Sequence, residues 1–206
     1  YTKRDGWTTN LIDIKELKIS FNNKSLVDIA FTIKSSTALI GESGSGKSLT
    51  LKAILNLLSS SLEVKKNISS DFELSFDTIG FIPQNPFTSL SSSQISGGQT
   101  QRVVIAIALS RDIKLLLLDE PTTALDFENK TNIINIVNDL KDKLNINILF
   151  VTHDIESIKD ICDDIVIIKN GYVVEFGKTQ EVLNNPQNEY TKKLLNSSFK
   201  NKKFRN

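Results

Sequence analysis

Leu17, Ile19 and Phe21 alternate with polar neighbours, and Ile29, Phe31 and Ile33 repeat the pattern. That period of two predicts short β-strands, and Thr37 to Ile40 adds a third that runs apolar into a glycine. The period then changes. Leu51, Ile54, Leu55 and Leu58 have the spacing of a buried helix over residues 49–58. Residues 59–75 are Ser-rich and mixed in charge, which predicts loop and edge strands, and Ile79 to Ile82 reads as a strand stopped by Pro83. Residues 99–110 read as helix, and Lys114 to Leu118 as a continuous apolar strand ending in two acids. Ile133, Ile136 or Val137, Leu140 and Leu144 give residues 129–144 one apolar helical face. Ile146 to Val151 is a further buried strand. Ile165 to Ile168 and Tyr172 to Val174 flank Asn170-Gly171, a two-residue hairpin signal. Two short helices precede a basic tail, residues 196–206. Strands alternating with helices predict one α/β domain over residues 11–195, with a parallel core and antiparallel additions.

Composition removes several function classes. Of 206 residues, 39% are hydrophobic and 24% charged, which excludes a disordered, collagen-like or rod-shaped chain. Lys and Arg number 25 against 24 Asp and Glu, so no basic surplus exists to neutralise a nucleic-acid backbone, and nucleic acid is not expected as the partner. The longest apolar stretch, Val103 to Leu109, is far short of the roughly 20 residues that span a bilayer. Residues 1–10 are polar and do not resemble a signal peptide. The single cysteine, Cys162, has no internal disulfide partner, and a reducing cytoplasm fits it best.

Five places along the chain carry candidate chemistry. Gly41-Glu42-Ser43-Gly44-Ser45-Gly46-Lys47-Ser48 matches the phosphate-loop pattern G-x-x-x-x-G-K-[ST] between a predicted strand and a predicted helix. Glycines let successive backbone N–H groups turn inward around phosphate oxygens, and the helix N-terminus adds positive potential. Lys47 would reach the terminal phosphates and the Ser48 hydroxyl would hold Mg²⁺. Asp119 and Glu120 end a predicted buried strand, at the edge where α/β sheets bind ligands. Asp119 is expected in the Mg²⁺ shell and Glu120 beside an attacking water. His153, the only histidine, and Gln84 follow other predicted strands to the same edge. Ser96-Gly97-Gly98-Gln99 opens a predicted helix, either as a capped turn or as a second anion site.

In order, the phosphate loop, Gln84, Ser96 to Gln99 with Thr100-Gln101-Arg102, Leu118-Asp119-Glu120-Pro121, Ala124-Leu125-Asp126 and Thr152-His153-Asp154 resemble the motifs of ATP-binding cassette (ABC) ATPases over almost the whole chain. The resemblance implies a P-loop NTPase domain of that type, a parallel core sheet with an antiparallel β subdomain, with ATP and Mg²⁺ as cofactors. It implies catalytic roles for Glu120, His153 and Gln84, with His153 holding the γ-phosphate and Gln84 linking metal and water to a transport subunit. ATP would contact Phe21, stacked on adenine, and Gly41 to Leu49. Ser48, Gln84 and Asp119 would hold Mg²⁺. Ser96, Gly97, Gly98 and Gln99 would bind the ATP of a second ABC subunit, and Asp126 would work across that dimer. Integral-membrane permeases and, indirectly, a solute-binding protein are the implied partners, at the cytoplasmic face of the membrane. Pro83 to Leu90 and Asn185 to Leu195 resemble the branch that energises peptide or nickel uptake, without separating peptide from metal or metal-chelate cargo. A soluble ABC ATPase acting on DNA or ribosomes is the alternative.

One spacing departs from that family. Only 11 residues separate Gln84 from Ser96, where ABC ATPases carry a helical subdomain that meets the permease. The sequence also has no methionine. Both facts are read as a segment absent from residues 85–95 of the sequence rather than a loss by the protein.

Overall fold

The alternating segments at the start of the chain pair with each other. β1 (Leu11–Phe21) and β2 (Lys24–Lys34) are antiparallel, joined through Asn22 and Asn23, both left-handed at φ 48° and 61°. Asparagine tolerates that conformation, and its twist suits a two-residue hairpin. The buried positions of β1 change parity, from Ile12 and Ile14 to Leu17 and Ile19, because the register shifts between Ile14 and Leu17. A second shift after Ile19 leaves Phe21 44% exposed although it continues the alternation. The computed structural model describes residues 10–84, 112–123 and 125–200.

The next elements follow in chain order: β3 (Ser36–Ile40), α1 (Lys47–Ile54), β4 (Glu63–Ser70), β5 (Ile79–Ile82), β6 (Leu115–Asp119), α2 (Phe127–Leu144) and β7 (Asn147–Thr152). A 3-10 turn at Ile155–Ser157, the hairpin β8 (Asp164–Lys169) and β9 (Tyr172–Lys178), and helices α3 (Thr179–Asn184) and α4 (Glu189–Lys200) complete them. Among the described residues, nine strands join one sheet in the order β4-β1-β2-β9-β8-β3-β7-β6-β5. From β8 to β5 every pairing is parallel, whereas β1 pairs antiparallel with β2 and β4, and β9 with β8. That is the expected parallel core with an antiparallel addition.

The core strands read as unbroken apolar runs because both of their faces are covered. Leu116, Leu118, Ile148 and Phe150 face α2, α3 and α4, while Leu115, Leu117, Leu149 and Val151 face α1 and the β1–β2 arm. Helix boundaries differ from the sequence pattern for local reasons. α1 stops at Ile54 because Asn56 turns left-handed at φ 58°, and Leu57 is exposed. α2 starts at Phe127 because Asp126 caps it. α4 continues to Lys200, past the expected end of the domain at 195, since neither Gly nor Pro interrupts it; residues 201–206 lie outside the described residues. Among the described residues no helix is long and apolar enough to cross a membrane. For function, what matters is that β3, β5, β6 and β7 all bring their carboxyl ends to one edge.

Candidate functional site

The phosphate-loop sequence leaves the end of β3 and enters α1. Its shape depends on two close approaches. A Cβ on Gly41 would stand 2.4 Å from the Ile168 carbonyl oxygen, and one on Gly46 2.8 Å from Val27 Cγ2. Gly46 also has φ +106°, which side-chain-bearing residues rarely adopt. Ser45 N–H donates to Glu42 O at 3.2 Å, closing the turn, and Gly171 N–H donates to Ser45 O at 3.0 Å from the β8–β9 turn. Lys47 is buried inside this turn and donates from Nζ to Gly41 O (2.7 Å) and Glu42 O (3.0 Å). Burial lowers its pKa, and the charges of Glu120 and Asp119 oppose that shift. One cation thus sits at the centre of a ring of backbone groups, facing two carboxylates. Ser48 lies on the first turn of α1, exposed, with Leu49 beside it half-buried.

The two acids at the end of β6 face different surroundings. Asp119 still pairs with Val151 across the sheet, and burial raises the pKa of its carboxyl, with the Ser48 hydroxyl and Lys47 acting against that. Its Oδ1 is buried without a hydrogen-bond partner, as is Ser45 Oγ in the loop. Buried oxygens are rarely left unpaired, so an acceptor oxygen next to a hydroxyl and a lysine fits a cation ligand. Glu120 departs from the strand at φ +51°, a left-handed value unusual for a glutamate, while its N–H still donates to Val151 O at 2.8 Å. The turn carries its carboxylate toward the end of β7, with the side chain 11% exposed. There His153 Nδ1 approaches Glu120 Oε2 at 2.6 Å, and Thr123 Oγ1 donates to the same oxygen at 2.7 Å.

The other expected positions divide. The register Ile82 to Leu118 carries Gln84 past the same edge, where it is exposed. Phe21 sits at the tip of the β1–β2 arm, which touches the loop through Val27 and Leu26. Asp126 is not drawn into this ring: Asn129 N–H donates to its Oδ1 (2.8 Å) and Asn129 Nδ2 to its Oδ2 (3.0 Å), both as a helix cap. Ser96, Gly97, Gly98, Gln99 and the helix expected after them lie outside the described residues, as does the short spacing over 85–95. Two contacts were missed by the sequence reading. Thr123 follows Glu120 by three residues, a turn spacing that a search for a hydroxyl near the acid would have found. Tyr190 OH accepts from Glu42 N–H at 3.2 Å across 148 residues; Tyr190 lies within the segment Asn185 to Leu195 singled out above, but its spacing gives no sign of a contact with the loop.

The chain is similar to known proteins in sequence and in fold. A family model described as ABC transporter matches residues 67–123. The oligopeptide transport ATP-binding protein OppD of Bacillus subtilis (strain 168) is 30% identical over 257 residues, covering 92% of this chain and 72% of that protein. The dipeptide transport ATP-binding protein DppD of Lactococcus lactis subsp. cremoris (strain MG1363) is 28% identical over 255 residues, covering 91% of this chain and 73% of that protein. The first alignment is longer than the 206-residue chain itself, so that relative carries residues with no counterpart here. In fold, the chain is similar to cbiO1 of Clostridium perfringens, part of the ABC transporter complex cbiONQ, with TM-score 0.76, 24% identity, and coverage of 86% of this chain and 92% of that one.

Proposed function

Because the chain belongs to the ABC transporter ATP-binding family, whose members hydrolyse ATP, we propose that it energises a membrane importer as one half of a head-to-tail cassette dimer. The observation that carries this reading is the meeting of loop and acids at one sheet edge: Lys47 within its backbone ring, facing Asp119 and Glu120. Backbone N–H groups of residues 44–48 and the α1 N-terminus bind the phosphates of ATP, and Lys47 exchanges Gly41 O and Glu42 O for terminal phosphate oxygens. Ser48, Asp119 and Gln84 would hold Mg²⁺, which when bound supplies charge neutralisation to the phosphates. His153 and Thr123 converge on Glu120 Oε2, fixing the carboxylate so that its other oxygen accepts the proton of the attacking water. His153 then presents its second ring nitrogen to the γ-phosphate. Phe21 stacks on the adenine.

The cargo is a peptide, or nickel or a metal chelate. The names of the two transport relatives support the peptide, and so does the segment Asn185 to Leu195, which resembles the peptide and nickel branch. Ser96 to Gln99 and Asp126 act on the ATP of the second subunit, and permeases hold both subunits at the cytoplasmic face of the membrane. Sizing chromatography of Glu120→Gln tests the dimer. With Mg-ATP the variant is expected to elute as a dimer and without it as a monomer; a monomer at saturating Mg-ATP would overturn the two-subunit sandwich.

A further inference from the structure

Tyr190 lies far from every motif that the proposed reaction uses, yet its hydroxyl accepts the N–H of Glu42, the second residue of the phosphate loop, at 3.2 Å. That peptide unit is where the loop is tied together. The Glu42 carbonyl accepts both Ser45 N–H, which closes the turn, and Lys47 Nζ. When Lys47 turns to a phosphate, the Glu42 carbonyl loses one of those donors. The bond from Tyr190 to the amide does not depend on where Lys47 points.

The position of Tyr190 is itself fixed. The residue is buried, 8% exposed, and Lys169 Nζ stands 4.8 Å from its ring centroid. Its backbone N–H donates to Asn188 Oδ1 at 2.8 Å, and Asn188 Nδ2 donates to Val174 O at 3.2 Å. The Glu175 carboxylate accepts Gln187 N–H (2.7 Å) and Asn188 N–H (3.1 Å), so β9 grips the residues that lead into α4. Burial raises the pKa of the Tyr190 phenol, which keeps it protonated at neutral pH.

We propose that Tyr190 is a positioning residue for the phosphate loop: the C-terminal helix holds the Glu42 peptide so that the loop keeps its phosphate-binding turn as Lys47 moves. This inference rests on the reading of residues 41–48 as the nucleotide site. Its test therefore runs three proteins side by side: the parent chain, Tyr190→Phe and Lys47→Ala. Tyr190→Phe retains the ring, its packing and the Lys169 contact, and removes only the hydroxyl. Mg-ATP titration should show affinity weakened about three- to tenfold, the range of a single net hydrogen bond. KM for ATP should rise by the same factor with kcat nearly unchanged, and the Glu42 amide should exchange with solvent severalfold faster while the melting temperature stays near that of the parent. A purely structural role would shift melting and leave the Glu42 amide and the KM-against-kcat split alone. Parent-like affinity and parent-like exchange at Glu42 in Tyr190→Phe would overturn the proposal, as would a loss confined to kcat. Parent-like affinity in Lys47→Ala would instead overturn the nucleotide-site reading beneath it.

Discussion

The loop after β3 and the acids at the end of β6 lie at the same sheet edge, yet they are made in different ways. The loop acts through its backbone, and its neighbours reach it through backbone groups, an aliphatic side chain or one hydroxyl: Gly171 N–H on Ser45 O, Val27 against Gly46, Tyr190 on the Glu42 amide. The acid edge acts through side chains that a left-handed turn at Glu120 separates, Asp119 toward Ser48 and Lys47, Glu120 toward His153 and Thr123. On the proposed reading, ATP binding rests on the loop, through its backbone and the Lys47 cation it encloses, and hydrolysis on the placed charge of Glu120. Removing the charge of Glu120 should therefore spare binding, while disturbing the loop should not.

The largest expected effect breaks the binding half. Lys47→Ala removes the one cation at the centre of the loop, and loss of a desolvated charge pair costs about 2–5 kcal/mol, or roughly 30- to 4,000-fold in ATP affinity. Calorimetric titration with Mg-ATP checks it, with an affinity within threefold of the parent counting against the loop. Next is the loop's support. Gly171 has φ +84° and a Cβ there would stand 2.2 Å from Leu26 O, so Gly171→Ala should destabilise the fold by about 2–4 kcal/mol in urea unfolding. The smallest effect sharpens the acid half. Burial holds the folded pKa of Asp119 above its unfolded value, so its charged form costs stability, increasingly as pH rises through the folded pKa. Asp119→Asn should melt slightly higher than the parent at pH 7, with the gap closing at acid pH, and added Mg²⁺ should raise the melting point of the parent only.

Much of this was legible along the chain, and what was not has a common cause. Leu115 to Leu118 and Asn147 to Val151 announce strands buried on both faces, but a run apolar on both faces carries no mark of its neighbours, so the sheet order was not readable. The phosphate loop was readable because glycine spacing is itself the geometry. Glu120 was readable as an acid at a strand end, while its partner Thr123 was passed over because a hydroxyl in a turn has many uses. Phe21 was read into the alternation of Leu17 and Ile19, and the register shift that exposes it depends on pairing with β2. The local spacing of Asp126 to Asn129 spells a helix cap, whereas the cross-dimer role implied by the family resemblance concerns a second subunit. Tyr190 needed the fold, since only folding brings α4 to the loop.

The proposed division between binding at the loop and hydrolysis at Glu120 is tested most directly by one variant measured in two ways. Glu120→Gln keeps the length and hydrogen-bonding reach of the side chain and removes its negative charge and basicity. Mg-ATP titration should give an affinity within threefold of the parent, while phosphate release falls at least a hundredfold, the lower end of what a positioned general base contributes. Phosphate release at near the parent rate would contradict the assignment of Glu120, and a matching loss of ATP affinity would contradict the division itself.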